Sequence, residues 1–479
     1  MDRPLFVIRG MFAHSTIENP LIVFADHIIG VSNGKIVFFD QADQIDKHLA
    51  PFGGRSKVNI TELKRGQFVI PGFIDTHIHA PQYPNSGKGL DLGLLEWLEK
   101  YTFPTEAKFK DLKFAEHVYE KAVRRVLRNG TTTACYYGTI HTDACVKLCD
   151  IIDKYGQRAF VGKVNMNQNS PEYYIETAEE SQSETERFVD SVLERKNQRI
   201  QPIITPRFAV SCDHKLMNSL AKLAHDKGLH VQTHISETKM RLTGLAGLLS
   251  KKTVLAHGIY LTTEERKIVK DRECGISHCP NSNTSNISIC LLNDGVGTIE
   301  NILKKSLTNL VSPETLTAEW AIPLDLVSPE TLNADYNTIR IRSGTCDVRQ
   351  LLDEGIKVGL GTDCSGGYST SMHDAMRCCL HVSNFHAIHT EKIHISHREA
   401  FMMATLGGAQ VLDLADTVGN FEVGKAFDAL VVDVTKEGSQ IDIFENDTKD
   451  DIFQKIIYLG NEHNFTRIYI DGVDVLPKL

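Results

Sequence analysis

Apolar runs alternate with amphipathic segments through most of this chain, and the two patterns predict different elements. Short runs rich in valine, isoleucine and leucine predict buried strands near residues 73–79, 131–136, 159–166, 201–206, 228–234, 253–257, 274–278 and 357–363. Apolar residues at three- and four-residue spacing predict helices between most of these strands, most clearly Phe114–Leu127, Thr142–Tyr155, Glu176–Lys196, His214–Lys227, Thr345–Glu354 and Met372–Val382. Eight strand-then-helix units are what a (β/α)8 barrel requires, and a doubly wound open sheet is the alternative.

The two ends of the chain have a β-rich pattern instead. Residues 5–70 contain the turn signal Asn33-Gly34 between two strand-like runs, which is typical of a β-hairpin. The last segment contains the strand-like runs Ala429–Val434 and Ile468–Val475, with a second turn signal at Asp471-Gly472. We expect both ends to pair into one small β-sandwich domain beside the barrel.

These patterns divide the chain into three segments. Residues 1–70 and 413–479 are predicted to form the β-domain, and residues 71–412 the barrel. Near the end of the barrel, Ser396 and Glu399 have the spacing of a capping box that opens a helix over Ala400–Leu412.

One stretch interrupts the alternation. The heptapeptide Leu-Val-Ser-Pro-Glu-Thr-Leu occurs at 310–316 and again at 326–332, so residues 291–340 are predicted to be an insertion. A duplicated surface loop and an error in the gene model are two interpretations. The third is a lid, because the stretch follows the seventh strand and starts on the face where barrels bind ligands.

Composition narrows the functional classes. The chain has 479 residues, more than one core usually supports, and 42% hydrophobic residues, as in an ordinary globular protein. Its net charge of −9 provides no basic surface for nucleic acid or for a membrane, so we expect a small-molecule partner. The first residues lack a signal-peptide pattern, and the eleven cysteines contain no Cys-x-x-Cys pair, so we expect reduced thiols in the cytosol.

Several predicted strands end in metal-binding side chains. His77 and His79 share one face of the first strand, His234 and His257 end the fifth and sixth, and Asp363 ends the eighth. A lone His-x-His pair is often just two polar strand residues, but in a barrel the carboxyl ends of all strands meet at one place. Three imidazoles and a carboxylate can hold one divalent cation and leave room for a water.

The motifs around these side chains resemble the amidohydrolase superfamily, in its single-metal deaminase and chlorohydrolase branch. The motifs are Pro71–His79, His234–Glu237, Ala256–Gly258, His278–Asn283 and Gly361–Asp363. Within that branch the chain resembles the guanine deaminase family, through Leu95–Leu98, Tyr101–Pro104, Asn129–Cys135, Thr205–Phe208 and Gly419–Gly424. The resemblance implies a metal-binding barrel with a flanking β-domain, usually in a homodimer.

The resemblance also implies roles at the metal. His77, His79, His234 and Asp363 would hold one divalent cation, with zinc favoured and iron as the alternative. Glu237 would shuttle a proton, and Asp363 would take one from the water that His257 holds. Two alternatives are that His257 is itself a ligand and that Lys163 is a carbamylated bridge between two metals. His278 is expected to support the turn at Asn281–Asn283.

The implied reaction is hydrolysis of guanine to xanthine and ammonia. Gln82, Arg207 and Phe208 would surround the purine, and His234 and Glu237 would also face it. The amide of Gln82 offers a donor and an acceptor, Arg207 would face O6, and Phe208 would stack on the ring.

Two other functions stay open, namely a related aminohydrolase acting on another purine, cytosine or triazine, and a non-catalytic scaffold. The short 238–253 connection and the inserted stretch depart from the family pattern, and both lie on loops near the pocket.

Overall fold

The computed structural model describes residues 3–236, 245, 247–285, 344–390 and 392–479. The predicted insertion at 291–340, half of the 238–253 connection and Glu237 lie outside the described residues.

The described strands are, in chain order, Phe6–His14 (β1), Ile22–Ser32 (β2), Lys35–Gln41 (β3), Asn59–Glu62 (β4), Gln67–Pro71 (β5), Phe73–His79 (β6), Thr131–Tyr137 (β7), Arg158–Gly162 (β8), Val164–Asn165 (β9), Ile200–Pro206 (β10), His230–Ile235 (β11), Thr253–His257 (β12), Gly275–His278 (β13), Lys357–Leu360 (β14), Ala429–Asp433 (β15), Phe465–Ile470 (β16) and Val473–Asp474 (β17).

The described α-helices are Ile45–Leu49 (α1), Leu94–Trp97 (α2), Phe103–Glu106 (α3), Leu112–Arg128 (α4), Thr142–Tyr155 (α5), Ala178–Leu193 (α6), His214–Lys227 (α7), Thr263–Asp271 (α8), Pro280–Ser285 (α9), Val348–Asp353 (α10), Met372–Thr390 (α11), His397–Ala404 (α12), Leu406–Val411 (α13) and Lys449–Leu459 (α14). None of these helices combines the length and the apolarity that crossing a bilayer would require.

Eight parallel strands form the predicted barrel. Their order is β6-β7-β8-β10-β11-β12-β13-β14, and the short β9 pairs beside β10. The last strand comes back to the first, because Thr76 Oγ1 donates to the Leu360 carbonyl at 2.9 Å and the Asp363 amide donates to the His77 carbonyl at 2.8 Å. The (β/α)8 prediction is therefore confirmed, and the carboxyl ends of the strands meet at one mouth.

Helix boundaries follow local signals where these are strong. Helix α7 has the predicted bounds because Asp213 accepts from the Leu216 amide at its start and Gly228, at φ 63°, ends it. The predicted single helix over Ala400–Leu412 is wrong, because Thr405 at φ −129° and ψ −96° separates α12 from α13. In α13 the backbone lies directly on the barrel, where a side-chain carbon at Gly408 would be 3.0 Å from Ile74.

The two ends of the chain form one mixed sheet in the order β17-β16-β15-β5-β1-β2-β3, with β4 beside β1. We call these eight strands the terminal sheet. Both predicted turns are confirmed, with positive φ at Asn33 and Gly34 between β2 and β3, and at Asp471 and Gly472 between β16 and β17. Alternate residues of its strands point to opposite faces. One face packs into an apolar cluster around Phe12 and Phe427, and the other is shared between a cluster around Val7 and Ile28 and a larger one that includes Phe68 and Leu430. The small domain built from both ends is confirmed.

Candidate active site

The predicted metal-binding side chains converge at the mouth of the barrel. His77 and His79 lie on β6, His234 lies on β11, and Asp363 follows β14. Asp363 Oδ1 lies 3.2 Å from His77 Nε2 and 3.4 Å from His79 Nε2, and His79 Nε2 lies 3.1 Å from His234 Nε2. One potential ligand atom from each of the four side chains lies within 4.8 Å of the others. Three nitrogens and one oxygen at this spacing match the donor set of a single metal ion.

Burial puts these groups in the protonation states that bind a cation. Burial lowers the pKa of all three imidazoles, most strongly at His79 and His234, so the rings are neutral with a free lone pair. Burial opposes charge on Asp363, but the adjacent imidazoles, His77 first, hold the pKa of its carboxyl below the ordinary range. The set is therefore three neutral imidazoles and one carboxylate.

Hydrogen bonds behind the rings fix their orientation. His234 Nδ1 donates to the Arg207 carbonyl, which leaves Nε2 directed at the other ligands. Asp75 is fully buried and accepts from the His77 amide at 3.1 Å and from the Thr362 amide at 3.0 Å. This one carboxyl ties the strand that carries His77 to the segment that carries Asp363. Burial raises the pKa of Asp75 to about 7.

His257 lies beside the four-residue set and outside it. Its Nδ1 contacts Asn283 Oδ1 at 2.8 Å, and its Nε2 lies 3.8 Å from Asp363 Oδ2. His77, His257 and Cys279 form a second group whose potential ligand atoms lie within 4.8 Å of one another. Both His257, at φ 75°, and Asp363, at φ 45°, have backbone conformations that non-glycine residues rarely adopt, as often occurs at functional sites.

His278 does not support the turn in the expected way. Neither of its ring nitrogens has a hydrogen-bond partner among the described residues, and Asn281–Asn283 lies within helix α9. Burial lowers the pKa of this imidazole to about 3, so the ring is neutral.

The structure disfavours a lysine bridge between two metals. The amine of Lys163 is fully buried and donates to both carboxylate oxygens of Glu176 at 2.6 Å, and to the Val164 carbonyl at 3.1 Å. A carbamylated bridge between two metals would have to give up these three hydrogen bonds of the amine.

The expected substrate residues lie beside the metal-binding set. Gln82 and Arg207 are both 2% exposed. The guanidinium of Arg207 lies over the Phe103 ring at 5.2 Å. Phe208 is half-buried, with its ring 6.5 Å from the His234 ring and nearly perpendicular to it.

The sequence reasoning missed two further residues. The carboxylate of Glu106 is fully buried and contacts both Gln82 and Arg207. Tyr137 ends β7 and packs its ring against His79 at 4.5 Å and against His77 and His234 at 4.8 Å each. Tyr137 could have been found as a polar aromatic residue at a strand end, and Glu106 lies only two residues beyond the motif Tyr101–Pro104.

Comparisons with known proteins agree with this geometry. The amidohydrolase family model matches residues 68–472. Curated guanine deaminases from Pongo abelii and Mus musculus are each 42% identical to this chain, over 98% of it and 96% of their own length. A solved guanine deaminase from C. acetobutylicum with bound guanine in its active site superposes with a TM-score of 0.80 at 29% identity, covering 98% of this chain and 100% of its own. The chain therefore belongs to the amidohydrolase family and, within it, to the guanine deaminase family.

Proposed function

We propose that this protein is a metal-dependent aminohydrolase that converts guanine and water to xanthine and ammonia. The observation that supports this most is the convergence of three buried imidazoles and Asp363 at the barrel mouth. Arg207 accepts a hydrogen bond from His234 through its carbonyl, and Gln82 accepts one from the amide of Ser365, two residues after Asp363. The relatives that carry the same activity in their names cover nearly the whole chain. A metal centre next to buried polar groups is what hydrolysis of a polar ring requires.

One divalent cation fits the donor set, with His77, His79, His234 and Asp363 as its ligands. The rings of His79 and His234 bring two neutral nitrogens within 3.1 Å, an arrangement that a shared cation stabilises. Zinc is the first candidate and iron the second, because imidazole and carboxylate ligands suit both. When bound, the cation supplies Lewis-acid polarisation of a water, lowering its pKa to about 7.

The residues of the chain then move protons and position the water. His257 holds the attacking water, since its Nδ1 is tied to Asn283 and its Nε2 faces the Asp363 carboxylate. Asp363 accepts a proton from the water as the oxygen attacks C2 of the base. Glu237 starts protonated and gives that proton to ring N3. It then takes the proton of the new C2 hydroxyl and delivers it to the amine, which leaves as ammonia as the C2–N bond breaks. The proton held by Asp363 finally returns to Glu237. Glu237 lies outside the described residues, and its role rests on its place three positions after His234.

Substrate binding is assigned to Gln82, Arg207 and Phe208, with His234 and Glu237 on the reacting side of the base. Gln82 and Arg207 present polar atoms in a buried pocket, where unpaired groups are costly. Phe208 supplies an aromatic face near the metal-binding His234. We expect the free base to be preferred over its nucleoside, because a ribose would add bulk beside these buried side chains.

Three wider assignments belong to the same proposal. We propose a cytosolic enzyme, supported by ten described cysteines that are all free thiols. We propose a homodimer on the family resemblance, which analytical ultracentrifugation would test. We also propose that residues 71–412 form the catalytic barrel, with residues 1–70 and 413–479 as the second domain.

A panel of bases tests the proposed function. Protein loaded with zinc, and separately with iron, is assayed for ammonia with guanine, guanosine, adenine, cytosine and an aminotriazine. We expect guanine to be the preferred substrate, with xanthine formed in equal amount to ammonia. Preference for cytosine or for a triazine would refute guanine as the substrate and leave the aminohydrolase class. No ammonia from any base, with one metal ion bound per chain, would favour a non-catalytic scaffold.

A further inference from the structure

A single buried carboxylate organises the polar side of the substrate pocket. Glu106 ends the short helix α3 and has no exposed surface. Its Oε1 accepts from Gln82 Nε2 at 2.9 Å and from Arg207 Nη2 at 3.2 Å. Its Oε2 accepts from Arg207 Nη1 at 2.7 Å and from the Tyr174 hydroxyl at 2.8 Å. Both expected base-contacting side chains therefore converge on one carboxyl group.

This carboxylate decides which way the Gln82 amide points. An ionised carboxylate only accepts hydrogen bonds, so Gln82 must turn its NH2 group toward Glu106. The amide oxygen then points the other way, where it accepts from the Ser365 amide at 3.4 Å and keeps a second lone pair. Without Glu106, only the long hydrogen bond from the Ser365 amide would favour this orientation.

The same carboxylate restricts Arg207. A guanidinium has five N–H donors in a fixed plane, and the bidentate pair with Glu106 uses two of them. The pair fixes the plane in which the remaining donors lie, with Nη1 also 3.9 Å from Met166 Sδ, and it is electrically neutral overall. Arg207 therefore offers hydrogen-bond donors from a neutral pair, which suits an uncharged carbonyl.

We propose that Glu106 is a positioning residue that sets the donor and acceptor polarity of the base-recognition edge. With Glu106 in place, Gln82 presents an acceptor and Arg207 presents donors. That pattern is complementary to the ring N1–H and C6 carbonyl of guanine, and opposite to the ring nitrogen and amine of adenine. The inference rests on the proposed function and deepens it.

Two substrates that differ only at the N1–C6 edge of the base can test the roles of Gln82 and Arg207. Guanine and 2-aminopurine carry the same amine on C2, but 2-aminopurine lacks both the carbonyl and the N1 proton. Glu106→Gln keeps the shape of the side chain and removes the charge. We expect it to lower kcat/KM for guanine about 10- to 100-fold, mainly through KM, because bonds to a charged group are lost. We expect kcat/KM for 2-aminopurine to change much less. The ratio of kcat/KM for guanine to that for 2-aminopurine, which measures the preference for guanine, should therefore fall.

Glu176→Gln is the matched control. Glu176 is also a buried carboxylate paired with a cation, Lys163, and the described hydrogen bonds do not link it to Gln82 or Arg207. If this control lowers activity through stability alone, both substrates should lose it in parallel, and the preference for guanine should stay at the wild-type value.

The outcomes separate the inference from the proposed function. If wild-type protein deaminates guanine and Glu106→Gln keeps its preference over 2-aminopurine, Glu106 is only a structural partner and the inference is wrong. If wild-type protein does not deaminate guanine, both the proposed function and the inference that rests on it are wrong.

Glu106→Asp covers the case in which Glu106→Gln does not fold, because its shorter side chain cannot reach Gln82 and Arg207 together. An unchanged preference in Glu106→Asp would equally overturn the inference.

Discussion

The barrel mouth and the terminal sheet use burial in opposite ways. In the terminal sheet, one cluster buries apolar side chains against each other, with Phe12 and Ile29 fully buried and the Phe12 ring 5.3 Å from that of Phe39. At the barrel mouth the buried groups are polar, and Asp75, His77 and Glu106 have no exposed surface. One region removes apolar surface from water, and the other removes charges and imidazoles from water.

The difference teaches where stability and function are located. Fully burying a large apolar side chain stabilises a protein by about 1.5–3 kcal/mol, whereas a buried polar group without a partner costs about 1–3 kcal/mol. The mouth therefore depends on its hydrogen bonds and on a bound cation, and the terminal sheet does not. Substitutions in the mouth should mainly lower metal content and turnover. Substitutions in the sheet should mainly lower the free energy of unfolding.

The largest expected effect is at a metal ligand. His234→Ala removes one of the converging imidazoles, so we expect loss of most bound metal and of essentially all turnover, measured by elemental analysis and ammonia release. His14→Ala is the matched control, because His14 is a buried histidine of the terminal sheet, 4% exposed. The control should keep its metal. Two metal ions per chain in the wild type, or none after supplementation with zinc or iron, would contradict the site.

The second effect separates proton transfer from metal binding. Glu237→Gln keeps the shape of the side chain but cannot carry a proton, so turnover should fall by about 10²–10⁴-fold with metal content unchanged. Glu172→Gln, at an exposed position, serves as the control and should leave turnover unchanged. Near-normal activity of Glu237→Gln would exclude Glu237 from the mechanism.

The third effect should appear only in stability. Phe12→Ala leaves a cavity in the apolar cluster of the terminal sheet, which should lower the free energy of unfolding by about 3–5 kcal/mol. At a temperature where the variant stays folded, we expect kcat for guanine to match the wild type. A fall in kcat of the folded variant would show that the sheet and the mouth are coupled.

The smallest effect concerns the junction of the two regions. His373 on α11 stacks on Phe465 of β16 at 5.8 Å, and its Nε2 has no described hydrogen-bond partner. Burial lowers the pKa of its imidazole from 6.5 to about 3. Between these two pH values the imidazole is protonated in the unfolded chain and neutral in the folded chain. Stability present above pH 6.5 is therefore lost as the pH falls toward 3, by about 1.4 kcal/mol per pH unit.

Chemical denaturation at several pH values checks this expectation. His373→Phe keeps an aromatic ring against Phe73 and Phe465 and removes the titrating group. Its unfolding free energy should fall less steeply than that of the wild type between pH 6.5 and 5. Identical slopes for the two proteins would mean that His373 does not carry the effect.

The sequence by itself determined most of the elements and the candidate metal-binding residues. Strand and helix periodicity is local, and so are the caps and the Asn33-Gly34 and Asp471-Gly472 turns, so the barrel and the terminal sheet could be predicted without contacts. The metal set was equally accessible, because each ligand comes at the carboxyl end of an apolar run, and a barrel brings those ends together.

Only the tertiary structure decided how the polar groups pair. Glu106 is 24 residues from Gln82 and 101 residues from Arg207, and nothing local links a carboxylate on a short helix to those partners. The break at Thr405 likewise depends on how closely the backbone of α13 approaches the barrel. Periodicity reports which face of an element is buried, but a hydrogen-bond partner depends on which distant segment packs against that face.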